Sequence, residues 1–581
     1  MKHKIVNIRH YLWSFVIVLS LGSCNQWLTE NPEGLVTENS IEDGPTGMNQ
    51  LVTGVYSKLI YDTFCWGYFP KVLEMDADYV SGPDWLFGSL GAGNFQGEAD
   101  VTDALWKCSY GLIGRANYAL LRIRAMKNLT DKERANAEGE MLFLRAWGYF
   151  WLVRAYGGVP IQTEQVSDGQ IARSSVEDVY TYIIRDLTEA VDKLYRNTDS
   201  DFRPGHVCAG SAAGLLVKAL VTEASSAMPA GTPIQVRTGE PYIKDSYGKK
   251  YYAPLATFTF NKNAVAGYEN LNSKKLYEQA IEWAEKLISG TYGSHSLLAY
   301  EDLWKKANCN ASEFLFSLQS VNGDSRYKNS VFTMYEGYKT AAGSDFIQSG
   351  GWIGCTRHWY DLFEKTDKRI TLGVKHRWRY YTHESSNSGF YYPYDNETSI
   401  AATGYDLNGE HKGSPTGIYA DGVKYYYSLD NQCLAFTTKY LDVTNEATEY
   451  ADCNYPFLRL ADVLLCYAEA LNETDNGEQA MDILSRVQTR SGATPATINR
   501  YPTPTLRRSM IIEERAKELA CESDRRWDLI RWGIYLDAMN IIKVDDGGVV
   551  KRRSERNLLF PIPVQELNTN RQITTNNPGW N

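Results

Sequence analysis

Aromatic side chains in glycine-rich stretches are the residues of this sequence with the clearest chemical potential. Trp85 lies in the glycine-rich segment 81–97, and Trp352 directly follows Gly350 and Gly351. Flat aromatic rings cover the C–H-rich faces of a sugar, while acidic, amide and basic side chains take its hydroxyl groups. Trp85 and Trp352 are therefore the first candidates for a carbohydrate-binding surface, because loops carry binding residues more often than helices do.

Further residues complete the candidate ligand-binding set: Trp66, Tyr391, Asp78 and Arg379. The wider pool of aromatic candidates consists of Tyr335, Trp359, Trp378 and Tyr392. For every aromatic residue, the alternative interpretation is packing in the core or anchoring of a loop. Packing is the favoured interpretation for tryptophans on amphipathic helical stretches, namely Trp147, Trp283 and Trp527.

The sequence contains none of the common catalytic signatures, whether HExxH, G-x-S-x-G, GxxxxGK[ST] or GxGxxG. The paired carboxylates of a glycosidase are defined by their separation in space, so 70 acidic residues neither support nor exclude such a pair. Glu514, Glu518 and Glu522 recur every four residues and would repel one another without basic partners. We interpret them as a structural ion network whose partners are Arg515, Arg525, Arg526 and Arg531.

An apolar helix over residues 138–160 is the strongest structural prediction. Thr130 and Glu133 predict a capping box at its start, and a Gly-Gly pair followed by Val-Pro ends it. Its apolar residues cover more than one face, so the helix should be buried on several sides. Arg145 and Arg154 interrupt this surface, and each needs a carboxylate partner if it is buried.

Pairs of helical patterns separated by short turns predict a mainly α fold with a helical-repeat scaffold. Ser174 and Glu177 predict the cap of a second, amphipathic helix. We expect the helical scaffold to cover residues 24–290 and 451–581. Residues 291–450 are poor in helical patterns and rich in Gly, Ser, Asn and Tyr, which predicts an irregular, aromatic region of loops and short strands.

Composition narrows the class of protein. The 581 residues carry a net charge of −10, which excludes the basic surface that nucleic-acid binding needs. The 40 tyrosines and 15 tryptophans favour a recognition surface. Ten cysteines without a CxxC pair indicate neither a zinc cluster nor a dense disulfide framework.

The N-terminus has the pattern of a signal peptide over residues 1–23. Three basic residues precede an apolar run at 11–21 that is too short to span a bilayer. The sequence Leu-Gly-Ser-Cys that ends at Cys24 resembles the bacterial lipobox, which implies cleavage before Cys24 and acylation of that cysteine. The alternative is ordinary secretory cleavage with an incidental cysteine.

Five stretches, in order along the chain, resemble the SusD/RagB-like family. They are CNQWLTENPEG at 24–34, the apolar helix at 138–160, a Gly-Gly-Trp loop followed by Asp-Lys-Arg at 349–370, ERAKELACESDRRWDLIRW within 506–533, and Pro-Ile-Pro with Asn-Pro-Gly-Trp within 558–580. The resemblance covers nearly all of the chain after the predicted signal peptide.

Membership would imply a glycan-binding, lipid-anchored outer-membrane protein without catalytic activity. The family fold is a single domain, here 24–581, built on four degenerate tetratricopeptide-like helix pairs. The implied partner is a TonB-dependent, SusC-like transporter, and some members hold a structural calcium. The first acidic residue after Cys24 is Glu30, whereas exported lipoproteins of this kind often carry acids directly after the cysteine. An outward-facing orientation is therefore implied by the family more than by this tail.

The resemblance also supports two of the candidate residues, because related members draw one stacking tryptophan from an early loop and another from the middle region. These positions correspond to Trp85 and Trp352. Two alternatives stay open at the level of sequence: a peptide-binding protein of the RagB branch, and an outer-membrane glycoside hydrolase.

Overall fold

The structure is a computed structural model. The residues it describes are 41–60, 73–95, 99–163, 169–244, 246, 250–322, 331–392, 424–426 and 434–580. The predicted signal peptide, Cys24 and Trp66 lie outside them.

Helices dominate the described residues, which confirms the mainly α fold. They are α1 (Pro45–Ile60), α2 (Asp84–Gly91), α3 (Ala99–Ala125), α4 (Asp131–Tyr156), α5 (Val176–Lys193), α6 (Ala209–Ser226), α7 (Ser273–Ile288), α8 (Tyr300–Leu303), α9 (Val331–Tyr335), α10 (Arg357–Tyr360), α11 (Lys368–Thr371), α12 (Leu460–Glu473), α13 (Gly477–Arg490), α14 (Pro504–Glu518), α15 (Arg525–Arg531), α16 (Tyr535–Ile542) and α17 (Val564–Thr569). From α3 to α7 each helix packs on the next, α12 packs on α6, α7 and α13, and the result is a helical array.

Short strands fill much of the remaining chain. They are β1 (Val80–Ser81), β2 (Pro233–Thr238), β3 (Tyr242–Lys244), β4 (Lys250–Tyr252), β5 (Ala256–Asn261), β6 (Phe314–Leu318), β7 (Tyr338–Lys339), β8 (Phe346–Ser349), β9 (Gly354–Cys355), β10 (Arg377–Tyr380), β11 (Ser388–Tyr391), β12 (Lys424–Tyr426) and β13 (Tyr455–Arg459). One sheet has the order β12-β11-β10-β8-β7, and the other strands pair as β1–β9, β2–β5, β3–β4 and β6–β13. Strands β2 to β5 interrupt the stretch up to residue 290 that the sequence predicts as mostly helical.

Helix α4 forms as its sequence predicts. The Thr130 side chain accepts from the backbone N–H of Glu133, whose carboxylate accepts from Thr130 N, so the capping box is confirmed. The helix ends at Gly157, whose φ of +74° is a conformation that favours glycine. Every residue from Ala137 to Tyr156 is buried, which confirms burial on several sides.

The cap of α5 lies one residue later than predicted. The side chain of Ser175, not Ser174, accepts a hydrogen bond from the backbone N–H of Asp178. The backbone N–H of Ser174 instead donates to the carbonyl of Val159, just beyond the end of α4 (3.0 Å). This tie between the two segments explains why the helix starts after Ser175.

The three glutamates at four-residue spacing are buried in an ion network, but with partners other than those predicted. Arg459, itself fully buried, contacts Glu518 and Glu522 at 3.1 and 2.8 Å, and Arg369 pairs with Glu514. The predicted partners point elsewhere: Arg515 pairs with Asp462 and Asp528, Arg525 with Asp78, Arg526 with Asp76, and Arg531 with Glu469. The structural interpretation stands, and the pairing is corrected.

Candidate functional site

A two-residue antiparallel ladder brings the two candidate tryptophans together. In it, β1 pairs with β9, and Val80 lies opposite Cys355. Trp85 follows β1 and Trp352 precedes β9, so the ladder joins segments separated by about 270 positions in the chain. The ring centroids of Trp85 and Trp352 lie 6.2 Å apart, with the ring planes at 84°. This is an edge-to-face aromatic pair.

Trp352 is held by a fixed loop. The backbone N–H groups of Gly351 and Trp352 donate to the carbonyls of Thr333 and Met334, at 2.8 and 2.9 Å, next to the end of α9. Gly350 has a φ of +95°, and a Cβ atom there would collide with the carbonyl of Thr333. The loop therefore requires glycine at position 350, and it presents Trp352 half-buried against the core.

Trp85 is held by a short helix and not by the loop that the sequence predicts. Pro83 precedes α2, whose residues Phe87 and Leu90 are buried, so the helix packs on the core through one face. Trp85 projects from the other face and is 70% exposed. Gly82 allows the close approach, because a Cβ atom there would overlap the Phe87 ring and lie 2.9 Å from the carbonyl oxygen of Trp352.

Tyr380 is a residue of this surface that the sequence did not indicate. Its hydroxyl donates to the carbonyl of Gly351 at 3.2 Å, so it supports the loop that carries Trp352. Tyr381, the next residue, is 47% exposed. The local signal is the adjacent pair Tyr380–Tyr381 at the end of a short strand, but no sequence pattern shows that the strand ends beside residue 351.

Comparison with known proteins gives the family. A model described as the SusD family matches residues 230–580, more than half of the chain. A second model, described as starch-binding associating with outer membrane, matches residues 43–215. The chain belongs to the SusD family.

Individual relatives are similar to this chain over nearly its whole length. SusD-like protein P2 of Formosa agariphila is 24% identical over 97% of this chain and 98% of its own length. A solved SusD homologue from Bacteroides thetaiotaomicron has a TM-score of 0.69 and 23% identity, covering 94% of this chain and 99% of that one. Surface glycan-binding protein A from Bacteroides thetaiotaomicron, solved with laminarihexaose, has a TM-score of 0.60 and 18% identity over 91% and 98% of the two chains. At these identities the likeness shows the SusD-like, tetratricopeptide-like fold.

Asp78 is a structural residue of this SusD-family protein, which corrects its assignment as a ligand contact. It is 2% exposed, and its two carboxylate oxygens accept from Nε and Nη2 of Arg525 at 2.8 Å each. Glu74 and Asp76, the alternate acids before it, are also buried: Glu74 accepts from Ser523 N, and Asp76 pairs with Arg526. Burial raises the pKa of Glu74 to about 7. These contacts fix the segment that leads into β1.

Arg379 has contacts of its own. Its guanidinium lies 4.1 Å from the centroid of the Phe346 ring, and Nη2 donates to Asn387 at 2.8 Å. Side chains alternate along a strand, so Arg379 projects from the face of β10 opposite that of Tyr380, the residue that reaches the Trp352 loop. The described contacts therefore do not bring Arg379 to the tryptophan pair.

Of the other aromatic candidates among the described residues, four are buried, and the fifth, Tyr391, has no described side chain. The buried ones belong to the core, and they are Tyr335, Trp359, Trp378 and Tyr392. Trp359, for example, donates its ring N–H to the carbonyl of Ala516 at 2.8 Å. Tyr391 lies opposite Arg377 in the β10–β11 ladder, and the structure describes its backbone only.

The described residues also bear on metal binding and on membrane spanning. Within them, no cluster of three or more His, Cys, Asp or Glu side chains is arranged to hold a metal ion, so no residues are assigned to a calcium site. In the same part of the chain, no helix combines the length and apolar character needed to cross a bilayer.

Proposed function

We propose that this protein binds an oligosaccharide or polysaccharide at the cell surface, with Trp85 and Trp352 as the stacking platform, and delivers it to a SusC-like, TonB-dependent transporter. The observation that carries the proposal is the edge-to-face pair formed by the exposed Trp85 and the half-buried Trp352. The second family model, with its description as starch-binding, and the laminarihexaose complex of a protein with the same fold support a carbohydrate ligand.

The exposure of Trp85 favours a ligand over a purely structural role. A tryptophan that is 70% exposed forgoes most of the hydrophobic stabilisation that its burial would give. Trp352 supplies an edge-to-face contact to it, with the ring planes at 84°. An exposed aromatic pair on an otherwise well-packed part of the fold has the properties of a recognition surface.

The angle between the rings favours a curved glycan. Two coplanar rings would match a flat, ribbon-like chain, whose sugar faces point in one direction. Rings at 84° present faces in two directions, which suits a chain that turns between successive sugars. Helical glucans such as starch and laminarin have this property.

The remaining parts of the proposal concern location and partners. The lipobox-like sequence at Cys24 supports a lipid anchor. The family, more than this tail, supports a position in the outer membrane that faces the exterior, with residues 24–581 as one domain. The described helical array supplies a large surface for a transporter. Transport requires binding and release only, so the proposal includes no catalytic step.

Affinity electrophoresis tests the binding role. Residues 25–581 would be run in gels that contain starch, laminarin or other polysaccharides, alongside Trp85→Ala and Trp352→Ala. Trp283→Ala is the matched control, because Trp283 is half-buried on α7 and stacks on Tyr292. Retardation by one glycan that is lost in Trp85→Ala or Trp352→Ala, but kept in Trp283→Ala, would support both function and site.

The other outcomes discriminate the alternatives. Retardation that survives both substitutions would keep carbohydrate binding and reject the proposed residues. Release of reducing ends during incubation would indicate a glycoside hydrolase. Binding of peptides, with no retardation by any glycan, would favour a RagB-type protein.

A further inference from the structure

The two buried arginines of α4 have different environments. Arg145 makes a bidentate ion pair with Asp186 at 2.7 and 2.9 Å and also donates to Asn117. Arg154, which is 6% exposed, makes no ion pair within the described part of the chain. Its Nε donates to the carbonyl of Phe150 at 3.1 Å, inside its own helix. The carboxylate partner that the sequence leads one to expect is present for Arg145, whereas none of the described residues supplies one to Arg154.

Aromatic rings hold the Arg154 guanidinium without neutralising it. Its central carbon lies 3.9 Å from the Phe150 ring centroid, 4.1 Å from that of Trp151 and 5.0 Å from that of Trp527. Burial lowers the pKa of Arg154 to about 10, with attraction from Asp524 opposing the shift, so the group stays charged at neutral pH. Asp524 is itself bound by Lys218, at 2.8 Å.

Arg154 is one of the residues that line a cavity of about 500 Å³. That size falls within the usual range of sites for small molecules. The walls are mainly aliphatic and aromatic and include Val153, Tyr268, Trp527, Ile530, Leu558 and Leu559. The polar wall residues Thr222 and Ser226 donate their hydroxyls to backbone carbonyls of their own helix. Arg531 is neutralised by Glu469 and Asp528.

A second buried cation lies behind the wall. Lys262 is 2% exposed and donates to the carbonyls of Ser226, Asn263 and Arg531, all three of which line the cavity. Within the described residues it has no carboxylate partner either. The acids of the cavity lie toward solvent: Glu555 is exposed, and Asp537 is half-buried and accepts from Asn263. The deep part of the cavity is therefore positive and the outer part negative.

We propose that this cavity binds an amphipathic monoanion, a carboxylate carried on an aliphatic or aryl body, with the carboxylate on Arg154. The guanidinium offers two donors in the geometry of a carboxylate, and the apolar walls enclose the body of the ligand. Of the two arginines that line the cavity, Arg531 is neutralised by its ion pairs and Arg154 has none among the described residues, which suits a ligand with a single negative charge. This site is independent of the tryptophan platform and of the proposed glycan.

The test uses sodium octanoate as the probe and 1-octanol as its uncharged counterpart, titrated calorimetrically into residues 25–581. Octanoate is expected to bind at least ~10-fold more tightly than octanol, because a charge-assisted hydrogen bond is worth that much. Arg154→Met should remove the difference, Arg154→Lys should restore part of it, and Trp283→Ala should change nothing. Ala264→Trp, at an exposed wall residue, should block both probes and serves as the second test if Arg154→Met does not fold.

Four results would overturn the proposal. Octanoate could bind no better than octanol, its affinity could survive Arg154→Met, or its binding could persist in Ala264→Trp. Absence of octanoate binding in the parent protein would reject it as well. None of these results bears on glycan retardation, so the two proposals fail separately.

Discussion

Replacement of Trp85 by alanine should reduce glycan affinity by about 10- to 40-fold. A tryptophan side chain buries ~150–250 Å² when fully enclosed. At 70% exposure, roughly 105–175 Å² of this area is available to a ligand, and one sugar stacked on one ring face would cover about half of it. At ~25 cal/mol per Å², covering that half is worth about 1.3–2.2 kcal/mol, which gives the predicted factor.

Stability should respond differently from affinity. Trp85 gives up its edge-to-face contact with Trp352 on substitution, and such a contact is worth ~0.5–1.5 kcal/mol. In a protein of this size that loss changes the unfolding temperature by about 2 °C or less. Trp352→Ala should cost more, because its ring packs partly against the core. A loss of affinity with little loss of stability is therefore the specific expectation for Trp85→Ala.

The assay is isothermal titration calorimetry, in which the glycan that retards the protein in affinity electrophoresis is titrated into residues 25–581. Thermal unfolding of each variant is measured alongside. Trp283→Ala controls for the loss of a half-buried tryptophan elsewhere, and its glycan affinity should equal that of the parent. If Trp85→Ala kept the parent affinity, the area argument would be refuted and the exposed ring would need another explanation.

Three further predictions follow from named contacts. Gly350→Ala should reduce glycan affinity although both tryptophans remain, because the new Cβ atom would collide with the carbonyl of Thr333. Gly343→Ala is the control, because Gly343 has a similar positive φ but a Cβ atom there would have nothing within 4 Å. Equal losses of affinity in the two variants, measured by titration, would contradict the argument. Asp78→Ala should lower the free energy of unfolding by about 3–5 kcal/mol in denaturant titrations, because it leaves Arg525 buried without its partner; Asp201→Ala, at an exposed pair with Lys132, is the control and should have little effect. Burial raises the pKa of Glu223 from 4.5 to about 8, so the folded state binds a proton more tightly than the unfolded state and stability falls as pH rises between these values. Glu223→Gln should weaken this dependence of the free energy of unfolding on pH. The same dependence in the variant as in the parent, measured by unfolding across this pH range, would contradict the assignment to Glu223.

The sequence predicted best what depends on neighbours in the chain. The capping box of α4 lies within four residues, and its hydrogen bonds form as predicted. The cap of α5 shows the limit of this approach, because a hydrogen bond from Ser174 to Val159, in the preceding segment, shifts the start by one residue. Local patterns identify a helix, whereas contacts with other segments decide its first residue.

Contacts over long separations were not predictable. Asp78 was a polar candidate for the ligand, yet Arg525 pairs with it across 447 positions, and nothing in the local sequence shows that partner. The irregular character of residues 291–450 also gave no indication of burial. Trp359 and Trp378 lie in short elements there, and both still pack in the main core. In a segment with only short elements of secondary structure there is no apolar period from which burial can be inferred, so the exposure of Trp359 and Trp378 could not be predicted.

The same long-range contacts determine how the tryptophan platform behaves. Trp352 is fixed by backbone hydrogen bonds at the end of α9, and the segment before Trp85 is fixed by the ion pairs of Asp76 and Asp78 with α15. A ligand at the proposed site would meet backbone segments that are already fixed, so ordering them would cost little. Differences in affinity between glycans should then reflect the shape of the glycan, since rings at 84° present faces in two directions. Buried ion pairs join the segment before Trp85 to α15, so a motion that separated the two would have to break them.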